Sequence, residues 1–295
     1  MKPVLLSAYT MTTCLGRGLA PTRAAFRATA SGLAPCRFGA VDIDTWIGEI
    51  AGLDDVTMPR ALARFDCRNN RASVLGLAQD GFSAAVAEAA SRYGPERAGV
   101  FIGTSTAGIL QTELAYRRRD PGSGALPPDF DYRGTHNTYS AAEYVRAHLA
   151  LAGPCAAIST ACSSSAKAFA SAARMLEAGM IDMAVVGGVD TLCLTTLCGF
   201  GSLQLLSRAP CRPYDIERDG ISIGEAAAFF LLERAPGEGA IALLGTGESS
   251  DAHHMSAPHP EGVGARRAME LALGAAELAP EAIDYVNLHG TGTPS

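Results

Sequence analysis

The sequence contains no apolar run of transmembrane length, and its first residues lack the apolar segment and cleavage site of a secretory signal. Its net charge of −6 argues against a surface for nucleic acid or anionic membranes. Charged residues make up only 18% of the chain and hydrophobic residues 48%, which is typical of a compact globular protein. We therefore expect a cytoplasmic protein with neither a membrane nor a nucleic-acid partner.

Metal-binding and nucleotide-binding motifs are also missing. The eight cysteines form no C-x-x-C pair, and the histidines supply no zinc pattern around them. The Gly-x-Gly sequences at 245–247 and 262–264 complete neither a dinucleotide fingerprint nor a P-loop. We expect mostly reduced core thiols, no metal and no cofactor.

Strand-like and helix-like segments alternate along the chain, which indicates an α/β architecture with a mainly parallel sheet. The predicted strands cover residues 4–9, 99–104, 155–158, 183–189, 225–233, 241–245 and 283–288. The predicted helices cover residues 21–30, 71–93, 110–118, 163–178 and 265–278.

A Gly- and Pro-rich turn at 235–239 joins two predicted strands, which we expect to be adjacent. A second strand–helix–strand series starts just beyond it. This predicts an N-terminal half at 1–236 and a C-terminal half at 237–295.

Cys162 lies in the run Ile158-Ser-Thr-Ala-Cys-Ser-Ser-Ser165, between a predicted strand and a predicted helix. A cysteine at this place meets unpaired backbone N–H groups and the positive end of the helix dipole, which favour an anion. The position is typical of a nucleophilic thiolate. The alternative is a small buried thiol, because free cysteines are among the most buried residues.

His289 follows the predicted strand 283–288 and precedes the turn Gly-Thr-Gly-Thr-Pro294. Catalytic groups of α/β proteins collect at the carboxyl ends of strands, where an imidazole donates a hydrogen bond to a carbonyl or acts as a base. The alternative is a polar loop histidine without a role. In the segment 211–225, Arg212, Asp215, Arg218 and Asp219 predict a charged network that fixes a loop.

Five sequence blocks carry a family resemblance. They are Ser159-Thr-Ala-Cys-Ser-Ser164, Val185-Val-Gly-Gly-Val-Asp190, Cys211-Arg-Pro-Tyr-Asp215 with Arg218-Asp219-Gly220, Asp251-Ala-His-His254, and Asn287-Leu-His-Gly-Thr-Gly-Thr-Pro294. Their identity and order resemble the β-ketoacyl-acyl-carrier-protein synthases of the thiolase superfamily. The resemblance implies a thiolase-like fold, layered α-β-α-β-α.

The resemblance also implies a mechanism. Cys162 takes an acyl group as a thioester, and the enolate formed by decarboxylation of a malonyl thioester attacks it. His289 matches the first of two family histidines that stabilise this enolate, and the Cys162 N–H supplies an oxyanion-hole donor. The implied partners are acyl- and malonyl-loaded acyl carrier protein and a second ketosynthase subunit, in a homodimer or heterodimer.

The family continues beyond this point with a lysine, a second catalytic histidine and a phenylalanine. The chain ends at Ser295, and its only lysines are Lys2 and Lys167, neither of which fits the missing role. This predicts a C-terminally truncated chain whose second half is incomplete and whose sheet exposes an edge.

The expected function is decarboxylative Claisen condensation in fatty-acid or polyketide biosynthesis, aryl-polyene chains included. The alternative is a catalytically incomplete fragment or a non-catalytic partner subunit of such a system. By family analogy, residues 193–201 and 203–206 help to line the acyl pocket or that of the dimer neighbour, and helix packing explains their leucines equally well.

Overall fold

The computed structural model describes residues 1–39, 41–234, 241–254 and 257–294. The strands are β1 (Val4–Thr13), β2 (Gly16–Arg17), β3 (Ala34–Pro35), β4 (Trp46–Gly48), β5 (Ala98–Gly103), β6 (Cys155–Ile158), β7 (Met183–Asp190), β8 (Ile223–Gly224), β9 (Ala226–Glu233) and β10 (Ala242–Leu243). The α-helices are α1 (Leu19–Arg27), α2 (Arg68–Leu77), α3 (Phe82–Tyr93), α4 (Ile109–Arg117), α5 (Tyr139–His148), α6 (Ser164–Glu177), α7 (Leu194–Ser202) and α8 (Val263–Ala276). Short 3-10 helices span Arg60–Phe65, Pro95–Arg97 and Pro280–Ala282.

The main sheet is mixed, so the prediction of a mainly parallel sheet is wrong. Its order is β10-β1-β9-β7-β5-β6, with β2 paired to the end of β1. β5 runs parallel to β6 and β7, whereas β9 runs antiparallel to both β7 and β1. The first residue of β9, Ala226, pairs with the last residue of β7, Asp190, because the long connection returns the chain to the end of the sheet where β7 finishes.

β10 does not lie beside β9, contrary to the prediction. It pairs antiparallel with the start of β1, so β1 separates the two strands that were expected to be neighbours. The predicted turn at 235–239 and the boundary between 236 and 237 fall outside the described residues. The two-half division therefore stays a prediction.

The single helix predicted over 71–93 is wrong, because α2 ends at Leu77 and α3 begins at Phe82. Asp80 and Gly81 between them have positive φ angles, 54° and 70°, which interrupt helical geometry. The Asp80 carboxylate accepts hydrogen bonds from the Thr10 hydroxyl and the Leu19 N–H. The break therefore places a carboxylate where it ties α1 and β1 together.

The strand predicted over 283–288 is also absent. This segment has no regular secondary structure, and Tyr285, Val286 and Leu288 are exposed. A strand needs a neighbour that pairs its N–H and C=O groups, and no strand among the described residues pairs with this segment.

The core forms on both faces of the main sheet. On one face, β5 contributes Val100 and Ile102 to a cluster with residues of α2, α3 and α5. On the other face, β5 contributes Phe101 to a cluster with residues of α6. This alternation follows from the period of two along a strand. It fixes α6 against the sheet, directly after the turn that carries Cys162.

A buried ion pair, together with two backbone N–H groups, joins four separate segments of the chain. Arg68 Nε lies 2.5 Å from Glu225 Oε1, and the Glu225 side chain is fully buried. The same carboxylate accepts the N–H groups of Ile50 and Leu192. Because a buried carboxylate needs such partners, this site holds the chain in register around the start of β9.

Candidate active site

The turn between β6 and α6 presents Cys162 to solvent. Ala161 just before it has a φ of 52°. The turn is closed by backbone hydrogen bonds from Ser163 to Thr160 (3.3 Å) and from Ser164 to the Ala161 carbonyl (3.1 Å). Cys162 is exposed, so the buried-thiol alternative is not what the structure shows at this position.

The other cysteines differ from Cys162 in their surroundings. Only Cys162 and Cys198 are exposed among the eight, all of which are free. Burial raises the pKa of Cys67 to about 12, and burial is also the main cause that raises the pKa of Cys193. These buried thiols are therefore poor nucleophiles.

Two glycines let the first turn of α6 lie against the sheet. A Cβ added to Gly103, the last residue of β5, would stand 2.4 Å from the Ser165 backbone nitrogen. A Cβ on Gly188 in β7 would stand 2.8 Å from the Ser165 Cβ. Sequence reasoning did not assign these glycines a role, although a glycine in an otherwise apolar strand is a signal for such a close approach.

The positive end of α6 points toward the turn. The helix has no acidic residue in its first turn, and no side chain caps its N-terminus. The positive end of its dipole therefore favours an anion at the turn. This geometry can stabilise negative charge on the Cys162 sulfur or on an oxygen bound beside it.

Cys162 borders a cavity of about 970 Å³ between α6, the sheet and α8. Its apolar side includes Phe169, Phe230, Leu243, Ala268 and Ala272. Its polar side includes Lys167, Glu248 and Asp251. The predicted pocket-lining segments 193–201 and 203–206 contribute no residue to this cavity, so their proposed role finds no support there.

Glu248 links α6 to the segment between β10 and α8. Its carboxylate binds Lys167 Nζ at 2.5 Å and Arg174 Nη1 at 2.6 Å, both on α6. Hydrogen bonds from Lys167 and then Arg174 hold the pKa of Glu248 below its usual value. Lys167 therefore carries a structural ion pair at the cavity wall.

Asp190 organises the loop that follows β5. Its Oδ1 accepts the N–H groups of Ser105 and Thr106, at 2.7 and 2.9 Å, and the hydroxyls of Thr104 and Thr106. Asp190 itself lines the cavity beside Cys162. Sequence reasoning quoted this residue within a family block and assigned it no such role.

His289 lies in the irregular segment that follows Ile283. The side chain is exposed and is not among the residues that line the cavity. Cys162 therefore borders this cavity, and His289 does not line it.

The loop 289–294 is fixed against the segment 211–220. Gly220 N–H donates to the Gly292 carbonyl at 3.0 Å, and Arg218 donates to the carbonyls of Thr293 and Pro294. Arg212 lies within salt-bridge distance of Asp219 at 4.0 Å and also pairs with Glu217. The charged segment predicted to fix a loop thus also holds the turn that follows His289.

Residues 1–39, 41–234, 241–254 and 257–294 contain neither a helix suited to crossing a membrane nor a metal-ligand cluster. No helix among them is both long and apolar enough to cross a bilayer. The same residues contain no cluster of three or more His, Cys, Asp or Glu side chains placed to bind a metal ion.

Two family domain models match the chain. The model for the β-ketoacyl synthase N-terminal domain matches residues 65–237, and that for the C-terminal domain matches residues 241–295. The 3-oxoacyl-[acyl-carrier-protein] synthase 2 of Rhizobium meliloti (strain 1021) is 37% identical over 210 residues, or 66% of this chain and 49% of that protein. The enzyme of the same name from Staphylococcus aureus is 32% identical over 212 residues, or 68% of this chain and 52% of that protein. The chain thus spans about half the length of the curated relatives it matches.

Solved structures match nearly the whole chain. The structure of a ketosynthase (ApeO) in complex with its chain length factor (ApeC) from Xenorhabdus doucetiae matches with a TM-score of 0.88 and 37% identity, over 99% of this chain and 73% of that one. A β-ketoacyl synthase from Burkholderia phymatum STM815 matches with a TM-score of 0.81 and 27% identity, over 99% and 75% of the two chains. The predicted thiolase-like α/β fold is confirmed by these neighbours. The chain belongs to the β-ketoacyl synthase family.

Proposed function

We propose that this protein is a β-ketoacyl-acyl-carrier-protein synthase in which Cys162 carries the growing acyl chain. The observation that carries the proposal is the exposed thiol on the turn at the positive end of α6, in a chain of this family. A thiol at such a place can act as a nucleophile toward a thioester.

The first step is acyl transfer. The Cys162 thiolate attacks the carbonyl carbon of an acyl thioester on the carrier protein. The tetrahedral oxyanion collapses, the C–S bond to the carrier breaks, and the carrier thiolate leaves and takes up a proton. The N–H of Cys162 donates a hydrogen bond to the oxyanion during this step.

The second step is condensation. A malonyl thioester on the carrier loses carbon dioxide, and the electrons of the broken C–C bond form an enolate. Its carbon attacks the Cys162 thioester carbonyl, and Cys162 leaves as a thiolate with the β-ketoacyl chain on the carrier. In this proposal His289 donates a hydrogen bond to the malonyl thioester oxygen, where the negative charge develops.

The test separates the two residues. Acyl-loaded carrier should add one acyl mass to the Cys162 peptide, and malonyl-loaded carrier should then yield a β-ketoacyl product. Cys162→Ser should abolish both signals, whereas the matched Cys198→Ser, at the other exposed thiol, should keep both. His289→Ala should keep acylation and lose condensation, with His253→Ala as its control. An unmodified Cys162 peptide and no product would end the proposal.

A second candidate is a non-catalytic partner subunit of such a system. The position of His289 outside the cavity that Cys162 borders favours it. On this reading the protein binds a catalytic ketosynthase and forms no product alone. Elongation by the chain as given would exclude it, whereas acylation without condensation, restored on mixing with an active ketosynthase, would support it.

We also propose a subunit partner, in a homodimer or a ketosynthase heterodimer, that pairs with the open edge of β6. β6 pairs only with β5 in the described sheet. The carbonyls of Pro154 and Ile158 accept bonds from β5, so the alternate residues Cys155 and Ala157 turn their backbone groups to the edge. Ala157→Pro removes one edge donor and should lower the dimer fraction in light scattering. Ala156→Gly is the control, and an unchanged mass for Ala157→Pro would refute this edge.

The remaining proposals concern setting and organisation. Eight free thiols suit the reducing cytoplasm, where we place the protein.

We retain the division into halves at 1–236 and 237–295. Limited proteolysis that cuts first near 236 would support the division, and an initial cut within either half would oppose it.

A further inference from the structure

Ser164 spans the turn that presents Cys162. It is the first residue of α6, and only 3% of it is exposed. Its Oγ accepts a hydrogen bond from the Thr160 N–H at 2.8 Å and donates one to the Ala161 carbonyl at 2.6 Å. One hydroxyl therefore joins the chain before Cys162 to the helix after it.

The residue held by this hydroxyl is in an unfavourable conformation. Ala161 has a φ of 52°, in the left-handed region where a Cβ meets its own backbone. Its side chain is exposed, so packing does not hold it there. The Ala161 carbonyl instead receives two hydrogen bonds, one from the Ser164 hydroxyl and one from the Ser164 N–H.

The neighbouring serine makes different contacts. Ser163 is exposed, and its Oγ donates to the carbonyl and hydroxyl of Thr160. These bonds reach the Thr160 carbonyl, on the N-terminal side of Ala161, and not the Ala161 carbonyl. Of the two serines, only Ser164 bonds with its side chain to the Ala161 carbonyl, and the same hydroxyl also holds the Thr160 N–H.

We propose that Ser164 is a positioning residue that holds Ala161 in the left-handed conformation and thereby keeps the Cys162 sulfur at the N-terminus of α6. The inference rests on the proposed function only in giving that sulfur a substrate. Without the hydroxyl, Ala161 relaxes to a negative φ, and the following peptide and the Cys162 side chain rotate away from the helix N–H groups.

The experiment measures alkylation of Cys162 by iodoacetamide, read as the rate at which its peptide gains mass. Exposed Cys198 in the same sample is the internal reference. Ser164→Ala should slow alkylation of Cys162 about ten-fold, the loss expected when a left-handed residue is no longer held in place. The Cys198 rate should stay unchanged.

A rescue variant separates positioning from a general loss of stability. Glycine adopts a positive φ without steric cost. Ala161→Gly alone should leave the Cys162 rate within about two-fold of the parent, and the double variant Ser164→Ala with Ala161→Gly should recover most of the lost rate. A role confined to overall stability would not be rescued by an added glycine.

A further variant keeps the test decisive if Ser164→Ala fails to fold. Ala161→Val retains the hydroxyl but adds a β-branched side chain that disfavours positive φ, and it should slow Cys162 alkylation as Ser164→Ala does. Ser91→Ala is the matched control, because the exposed Ser91 hydroxyl also bonds to a backbone carbonyl, that of Glu88, and lies outside the turn.

Three outcomes would overturn the inference: an unchanged Cys162 rate in Ser164→Ala, no recovery in the double variant, or an unchanged rate in Ala161→Val. Alkylation needs no acyl substrate. If alkylation follows the expected pattern while acyl-loaded carrier leaves Cys162 unmodified, the proposed function fails and the positioning role of Ser164 stands.

Discussion

Two segments of the molecule share a local pattern and differ in structure. β5 follows α3 and the 3-10 turn that begins Pro95-Glu96, and residues 283–288 follow α8 and the 3-10 turn that begins Pro280-Glu281. Each segment leads into a turn with glycine and threonine. All six residues of β5 are buried and pair with β7, and Val100 to Gly103 also pair with β6, whereas 283–288 is exposed and unpaired in the described structure.

The difference shows what decides strand formation. Both segments contain β-branched or aromatic residues, so their local sequence favours the same backbone region. Only β5 has β6 and β7 beside it to pair its N–H and C=O groups. Local preference sets the conformation, and tertiary pairing makes the strand. The candidate His289 therefore follows a segment without strand pairing in the described structure, whereas the turn that carries Cys162 follows the paired strand β6.

The largest expected effect compares equivalent truncations in the two segments. Ile102→Ala empties a fully buried site in β5 and should lower the free energy of unfolding by about 2–5 kcal/mol. Val286→Ala, at a side chain that is 56% exposed, should change it by less than about 0.5 kcal/mol. Urea unfolding gives both values. Equal losses would mean that 283–288 is packed as tightly as β5.

A smaller effect is expected at two glycines, Gly103 at the end of β5 and Gly290 shortly after residues 283–288. Gly103→Ala forces the backbone of Ser165 to move and should cost about 1–3 kcal/mol, with slower Cys162 alkylation. Gly290→Ala meets the Tyr214 hydroxyl at 3.2 Å and a φ of 53°, and should cost about 1 kcal/mol. Its Cys162 alkylation should match the parent. Slower alkylation in Gly290→Ala would show that the two turns are coupled.

The smallest expected effect is at Glu248, whose ion pairs connect the segment after β10 to α6. Glu248→Gln should cost less than about 1 kcal/mol at neutral pH, because the ion pairs with α6 are partly exposed. The folded-state pKa of Glu248 lies below its usual value, so its contribution is complete above that value and disappears as pH falls through the folded pKa.

The two stability curves of parent and Glu248→Gln should therefore converge in acid. The matched control is Glu88→Gln, which removes the ion pair between exposed Glu88 and Arg92 within α3. A gap that widened on acidification would reverse the sign expected for Glu248.

Sequence patterns predicted the elements around Cys162 to within a residue. The bounds of β6, α6 and β7 agree closely with expectation, because apolar period and turn residues are strong there. The break between α2 and α3 was missed, since Asp80 and Gly81 interrupt an otherwise continuous helical pattern. The neighbours of β10 and the unpaired state of 283–288 depend on contacts distant in sequence, which a local pattern does not contain.

The candidate site was likewise predicted only in part from the sequence. Cys162 was predicted from its strand-to-helix context, and the family resemblance pointed to His289. The supporting residues Gly103, Ser164 and Asp190 were not predicted, because their roles arise from distances across the turn and the sheet. In the proposed site, the candidate nucleophile has a recognisable residue type, whereas the residues around it are ordinary serines, glycines and carboxylates.

The pairing of β1 has a consequence for how the chain folds. This first strand pairs with β9 and β10, so its hydrogen-bonding partners are missing until on the order of 200 more residues have been made. Until then, β1 and the edge of β7 that pairs with β9 remain open, and their apolar surface is accessible to other chains. The protein should consequently fold slowly and depend on chaperones more than a domain of local topology does.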